Sequence, residues 1–240
     1  MNAGIYSAVS GSVSALTRLD AITNNLANGS TPGFKAERLV QRAAQIGTAA
    51  RATEVPTPIT RGALETDFSQ GPIQPTDNPL DVALAGNGFL VVDGPHGERL
   101  TRRGNLATDA EGFLATSDGW RVQGENGDLH VGDGKLAIAP DGTVRAGDLT
   151  VGKIRVVTVP DPSHLVREGG TTFAAGTQAP VDAAPGTVEV RQGALEGANV
   201  SPVENLVALV DTMRGFEAYM RAAEQLDQTT SRAISDVGRV

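Results

Sequence analysis

The sequence contains no cysteine, which excludes disulfides, thiol nucleophiles and thiolate metal sites. Aromatic residues are scarce at 4%, with one Trp and two Tyr, so any core must be built mainly from Val, Leu, Ile and Ala. No apolar run approaches the length of a membrane span. The N-terminus lacks a basic stretch leading into an apolar one, so neither a conventional cleaved signal nor membrane insertion is expected. Positive charge is the remaining shortage: the formal net charge is −8 and the pI about 4.9. Residues 71–195 carry ten basic against sixteen acidic side chains, and no segment supplies the basic stripe that nucleic-acid binding needs.

What is present is enough for one large domain or two small ones: 240 residues, 40% of them apolar. Near the N-terminus, Ile5, Val9, Val13, Leu16, Leu19, Ile22 and Leu26 recur at steps of three or four, one stripe of a helix. Ser7, Ser10, Ser14, Arg18 and Asn25 lie opposite, and Gly11 inside the pattern predicts close approach by another backbone. Near the C-terminus, Leu206, Val210, Met213, Phe216, Met220, Ala223, Leu226, Ile234 and Val237 repeat the same spacing, with one larger gap. That helix has a marked start, with Ser201 placed as N-cap, Pro202 as first helical residue and Glu204 as the third-position partner of a capping box.

Between the helices the periodicity changes. Twenty of the 29 glycines fall in residues 71–195, beside β-prone runs such as Gly88–Val92 and Lys153–Val159. Asp118-Gly119, Asn126-Gly127, Asp133-Gly134 and Asp141-Gly142 predict hairpin turns. Residues 35–75, with Pro56, Pro58, Pro72 and Pro75 and little periodicity, read as an extended linker. The expected class is therefore α+β: terminal helices at 1–34 and 196–240 forming a helical hairpin or coiled-coil-like layer, and an all-β domain at 76–195.

Sites of chemistry find little support. His96, His130 and His164 have no metal-ligand spacing. The Asp-rich stretch from Glu125 to Gly134 lacks the register of a calcium loop. Gly86-Asn87-Gly88 lacks the third glycine of a dinucleotide motif, and there is no Gly-x-Ser-x-Gly elbow. A pair of converging carboxylates for glycoside cleavage is not singled out by any spacing. Trp120 sits beside a turn, where it reads as a packed strand residue rather than a carbohydrate platform. No cofactor, metal or small-molecule substrate is expected.

Three blocks in order carry a family resemblance. Asn24 to Phe34, reading NNLANGSTPGF, follows the first helix; Asp77 to Leu90, reading DNPLDVALAGNGFL, leads into the β region; Gly193 to Glu204, reading GALEGANVSPVE, leads into the last helix. With Thr101-Arg102-Arg103-Gly104-Asn105, these resemble the axial proteins of the bacterial flagellum, the rod and hook group. The length is similar to the rod proteins, and the opening Ile5–Gly11 resembles the proximal-rod type more than the distal-rod type. The resemblance implies a helical assembly in the periplasm-spanning basal-body rod, with both terminal helices lining an inner tube around the export channel and the β domain outside. It also implies passage through the flagellar type III apparatus, partners that are other copies and other rod proteins, and no enzymatic activity. The alternatives are a distal-rod paralogue of the same family, a cell-wall carbohydrate-cleaving enzyme and a secreted carbohydrate-binding protein.

The block from Asn24 to Phe34 then reads as a helix end. Asn24, Asn25 and Asn28 supply amides to the last helical carbonyls and to neighbouring subunits. Gly29 takes the left-handed position after the helix, and Thr31, Pro32 and Gly33 turn the chain. Phe34 anchors the turn as an apolar contact of the assembly.

Overall fold

The computed structural model describes residues 2–44, 59–132 and 134–237. They separate into two units, one holding residues 2–27, 37–44, 59–66 and 201–237, the other residues 28–36, 67–132 and 134–200. Both terminal helices are present, at Asn2–Ala27 (α1) and Pro202–Val237 (α2), flanking a mostly β centre.

In the helical unit, α1 and α2 pack on each other through small residues. Ala8, Ser12 and Ala15 of α1 are buried, as is Thr212 of α2. At Gly11 a Cβ atom would stand 2.5 Å from the Tyr219 ring, and at Gly4 3.2 Å from Leu226. Residue 4 thus lies level with 226 and residue 11 with 219, so the helices run antiparallel. The close approach expected at Gly11 is made by an aromatic ring of α2, not by another backbone. At the start of α2 the capping-box exchange between Ser201 and Glu204 is not made among the described residues. The Ser201 carbonyl accepts from the Asn205 backbone N–H, the opening bond of the helix, and from Asn205 Nδ2, at 3.0 and 2.9 Å, and Pro202 begins the helix without needing a hydrogen bond.

The same unit holds a two-stranded antiparallel ribbon, β1 (Glu37–Ala44) with β2 (Ile59–Thr66), in continuous register from Glu37↔Thr66 to Ala44↔Ile59. Much of the segment read as an extended linker is extended, and these strands are paired with each other. Pro56, Pro58 and Asp133 lie outside the described residues.

The β unit is antiparallel throughout its described strands. After β3 (Ile73–Pro75) and β4 (Val82–Ala85) come β5 (Phe89–Gly94), β6 (Gly97–Thr101), β7 (Leu106–Thr108), β8 (Leu114–Thr116), β9 (Arg121–Gly124) and β10 (Gly127–Asp128). A small sheet of β11 (Leu136–Ile138), β12 (Thr143–Ala146) and β13 (Leu149–Lys153) follows. Then β14 (Val156–Thr158), β15 (Val166–Arg167), β16 (Thr172–Ala174) and β17 (Val181–Asp182) join the main sheet, ordered β15-β16-β6-β5-β9-β8-β7 along its length. The last strands, β18 (Glu189–Gln192) and β19 (Ala194–Glu196), pair with β4 and β3. The chain therefore leaves the unit beside the strands by which it came in.

Strand alternation builds two cores. Leu90 and Val92 of β5 face an aliphatic cluster with Leu84, Leu114, Val122, Val144 and Ile154. The alternate residues Phe89 and Val91 face a second cluster with Leu100, Val157 and Phe173. There the few aromatics concentrate: Phe68 lies 5.8 Å from Phe89 and 5.1 Å from Phe173 between ring centroids. Trp120 packs against the first core from β9's edge, as a strand-flanking residue should. Gly119, Gly127 and Gly142 take positive φ in the turns their dipeptides predict.

Candidate assembly interface

The two apolar stripes keep much of their surface in water. On α1, Val9, Val13 and Leu16 are 47, 56 and 46% exposed; Ile5, Leu19 and Leu26 are half-buried and Ile22 is buried. On α2, Leu206, Val210, Met213 and Met220 are exposed, Leu226 is at the margin and Phe216 is half-buried. The intrachain seam uses the small face of α1, so the large side chains of the stripe are left over. Sequence reasoning missed three more members, Tyr6, Val203 and Val207, which are among the most exposed apolar side chains. Beside the seam runs a groove of about 580 Å³ lined by Gly11, Arg18, Val207, Asp211 and Gly215 among others.

The end of α1 is polar for a reason other than the expected one. Asn25 is buried, and its amide acts as one more strand residue: Nδ2 donates to the Glu37 carbonyl at 2.7 Å, and Oδ1 accepts from the Glu37 N–H at 2.8 Å. Asn24 Nδ2 donates to the Glu37 carboxylate at 3.3 Å. These amides tie the start of β1 to the helix, and Asn25 is not left for a neighbouring subunit. Asn28 accepts from the Thr31 hydroxyl at 3.3 Å.

In the turn itself the left-handed residue is Gly33, with φ of 70°, and not Gly29. A Cβ on Gly33 would lie 2.5 Å from the backbone of Arg102 and Arg103, so both conformation and space demand glycine here. Ser30, Thr31 and Pro32 form the preceding bend, closed by the Phe34 N–H donating to the Thr31 carbonyl at 3.2 Å. Phe34 is wholly buried inside the β unit, with the Arg167 guanidinium 5.0 Å from its ring centroid. It is an interior anchor of that unit rather than an assembly contact.

Next to Phe34 lies the chemistry that no spacing revealed. Lys35, Arg102 and Glu196 are all buried, and one carboxylate serves both cations. Glu196 Oε1 accepts from Lys35 Nζ at 2.7 Å and from the Gly71 N–H at 2.9 Å, while Oε2 accepts from Arg102 Nη1 at 3.1 Å. Lys35 also donates to the Ser69 carbonyl, and Arg102 Nη2 to the Gly86 carbonyl, each at 2.7 Å. Burial pulls the pKa of both cations down, and the Glu196 carboxylate pulls in the other direction. Asn199 completes the junction, accepting from the Ala36 N–H at 2.7 Å and donating to the Asp67 carbonyl at 2.8 Å. The blocks around Phe34, Arg102 and Glu196, far apart in sequence, thus meet at one point.

Elsewhere the polar side chains serve turns and edges. His130 packs edge-on against Phe113 with centroids 5.1 Å apart, and His164 lies 3.4 Å from Asp161. Among the described residues, no group of three or more His, Asp or Glu is placed to hold a metal.

The fold is α+β, and comparison with known proteins gives the family. Residues 5–35 match the family described as flagella basal body rod protein, residues 83–146 the flagellar hook protein FlgE/F/G D1 domain, and residues 191–236 the flagellar basal body rod FlgEFG protein C-terminal region. The chain is 35% identical over 248 residues to the flagellar basal-body rod protein FlgF of Escherichia coli, with 97% of each chain covered. It is 34% identical over 247 residues to FlgF of Salmonella typhimurium, again covering 97% of each, and 30% over 250 residues to FlgF of Caulobacter vibrioides, covering all of both. The chain belongs to the flagellar basal-body rod protein family and is FlgF-like. It is a structural component of the basal-body rod, not an enzyme, and serves motility.

Proposed function

We propose that the chain assembles helically in the rod through the open apolar faces of α1 and α2, which form a coiled-coil-like layer around the export channel and transmit torque by rigid packing. Its partners are other copies of itself and other rod proteins, and it reaches them through the flagellar type III apparatus. One observation carries this reading: after α1 and α2 have packed together, Val9, Val13 and Leu16 on one helix and Leu206, Val210, Met213 and Met220 on the other are still about half exposed. Covering a large apolar side chain contributes roughly 1.5–3 kcal/mol. Several such side chains covered by neighbours supply a driving force that the single chain leaves unused. Patches of this kind on soluble chains mark interaction surfaces.

The test is to place a charge on each face, Val13→Asp and Val210→Asp, and to compare secreted with basal-body-associated protein. Secretion is expected to persist and incorporation to fall at least tenfold, with the stability of the purified monomer changed by no more than about 0.5 kcal/mol because these sites are exposed. Normal incorporation of both variants would remove these faces from the assembly.

A further inference from the structure

We infer that the Lys35–Glu196–Arg102 cluster is a latch that lets the β unit close only when segments 161 positions apart in the chain are both in place. Lys35 and Arg102 are each almost wholly shielded from solvent, as is Glu196. Remove the carboxylate and two cations remain in the interior with no counter-charge, an arrangement far worse than having no ions there at all. The carboxylate is delivered late. It belongs to β19, which pairs with β3 by Leu195↔Gln74 and Glu196↔Ile73. The backbone around it stitches the same point: the Gly33 N–H donates to the Glu196 carbonyl at 2.7 Å, the Gly197 N–H to the Pro72 carbonyl at 2.8 Å, and Asn199 holds Ala36 and Asp67.

The requirement is stronger in one direction than in the other. A chain appearing from its N-terminus lacks Glu196 until the unit is nearly complete, and a chain appearing from its C-terminus lacks Lys35. In the first case two buried cations have no counter-charge and closure is deferred to the end; in the second the Arg102–Glu196 pair stands without Lys35 and the hold is much weaker. If the chain is exported as proposed above with its N-terminus leading, on which this one consequence rests, a chain still partly within the channel stays open until Glu196 has followed. The experiments below read the latch in solution and do not depend on export.

The full-length chain is compared with Glu196→Gln, Lys35→Met and Lys35→Met/Glu196→Gln by native-state hydrogen exchange in β4, β5 and β6. Exchange there is expected to accelerate by at least about 100-fold in Glu196→Gln, which strands two cations, and by much less in Lys35→Met, which leaves the Arg102–Glu196 pair intact. Adding Lys35→Met to Glu196→Gln should restore protection at least tenfold, a reversal that loss of packing alone does not produce. Should Glu196→Gln fail to fold, the double variant is expected to recover folded protein. In pulse-labelled refolding of the unaltered chain, the N–H groups of Gly33, Gly71 and Gly197 are expected to gain protection in the same phase as those of β5. Any one of three results overturns the latch: Glu196→Gln exchanging within threefold of the unaltered chain, a double variant no better than Glu196→Gln, or β5 protected in an earlier, separate phase.

Discussion

In the β unit, Phe34, Leu114, Val122 and Val144 reach zero exposure, and even a lysine, an arginine and a glutamate are folded inside with their partners. In the helical unit, side chains of the same size stay in water: Val203 is 72% and Val207 58% exposed. Both regions are rich in aliphatic residues, so composition does not separate them. Geometry does. Antiparallel strands with tight turns return the chain over itself and bury alternate residues on two faces, whereas two long helices cover only one stripe of each other. The β unit uses its own apolar surface, and the helical unit keeps a surplus for something else to cover.

That contrast can be sharpened first at Phe34. Phe34→Ala should cost the β unit about 3–5 kcal/mol, measured by denaturant unfolding of the purified chain with a probe in the β unit such as Trp120. A loss under about 1 kcal/mol would mean that Phe34 is not the interior anchor its burial indicates. A smaller effect separates the charged interior from the solvated exterior. Burial is the largest influence on Lys35 and holds its pKa below the ordinary lysine value, while Glu196 raises it. Above the folded-state pKa and below the unfolded one, the unfolded chain binds more protons, so stability rises with pH across that alkaline window. The slope from this single group is at most about 1.4 kcal/mol per pH unit. Lys35→Met should abolish that gain, seen as a stability difference from the unaltered chain that grows in the latter's favour as pH rises. A difference independent of pH would place Lys35 in a more solvated setting.

Much of the architecture was legible because it rests on local signals. The helix stripes, the Pro202 start and the hairpin dipeptides act within a few residues, and the elements stand where those signals put them. Two expectations at the helix ends were not met. The turn after α1 placed Gly29 as the left-handed residue, but the space between the chain and Arg102 is what selects Gly33, and that neighbour lies about seventy residues away. The capping box expected at Ser201 is not made among the described residues, although the Ser201 carbonyl opens the helix by accepting from Asn205.

What could not be read was pairing at long range. Nothing in the local pattern announces that β19 returns to β3, or that Glu196 belongs with Lys35 and Arg102. A charged residue destined for burial looks like any other until its partner is known. The face by which α1 meets α2 did leave a trace. Gly4, Ala8, Gly11 and Ala15 recur at steps of four and three, a small-residue seam beside the large stripe that the stripe itself overshadowed. The surplus of large side chains could be read in sequence as an interface, but only the structure shows that the intrachain partner leaves it open.

The most direct test of that surplus is hydrogen exchange on a verified monomer and on assembled rods. In the monomer, amides of residues 4–26 and 203–232 should exchange much faster than those of β5 and β6, because helices packed along one stripe gain little from tertiary contact. On assembly the helical amides should slow by at least about 100-fold while those of β5 and β6 change little. Helices as protected as the β strands in the monomer, and no slower in the rod, would contradict the account.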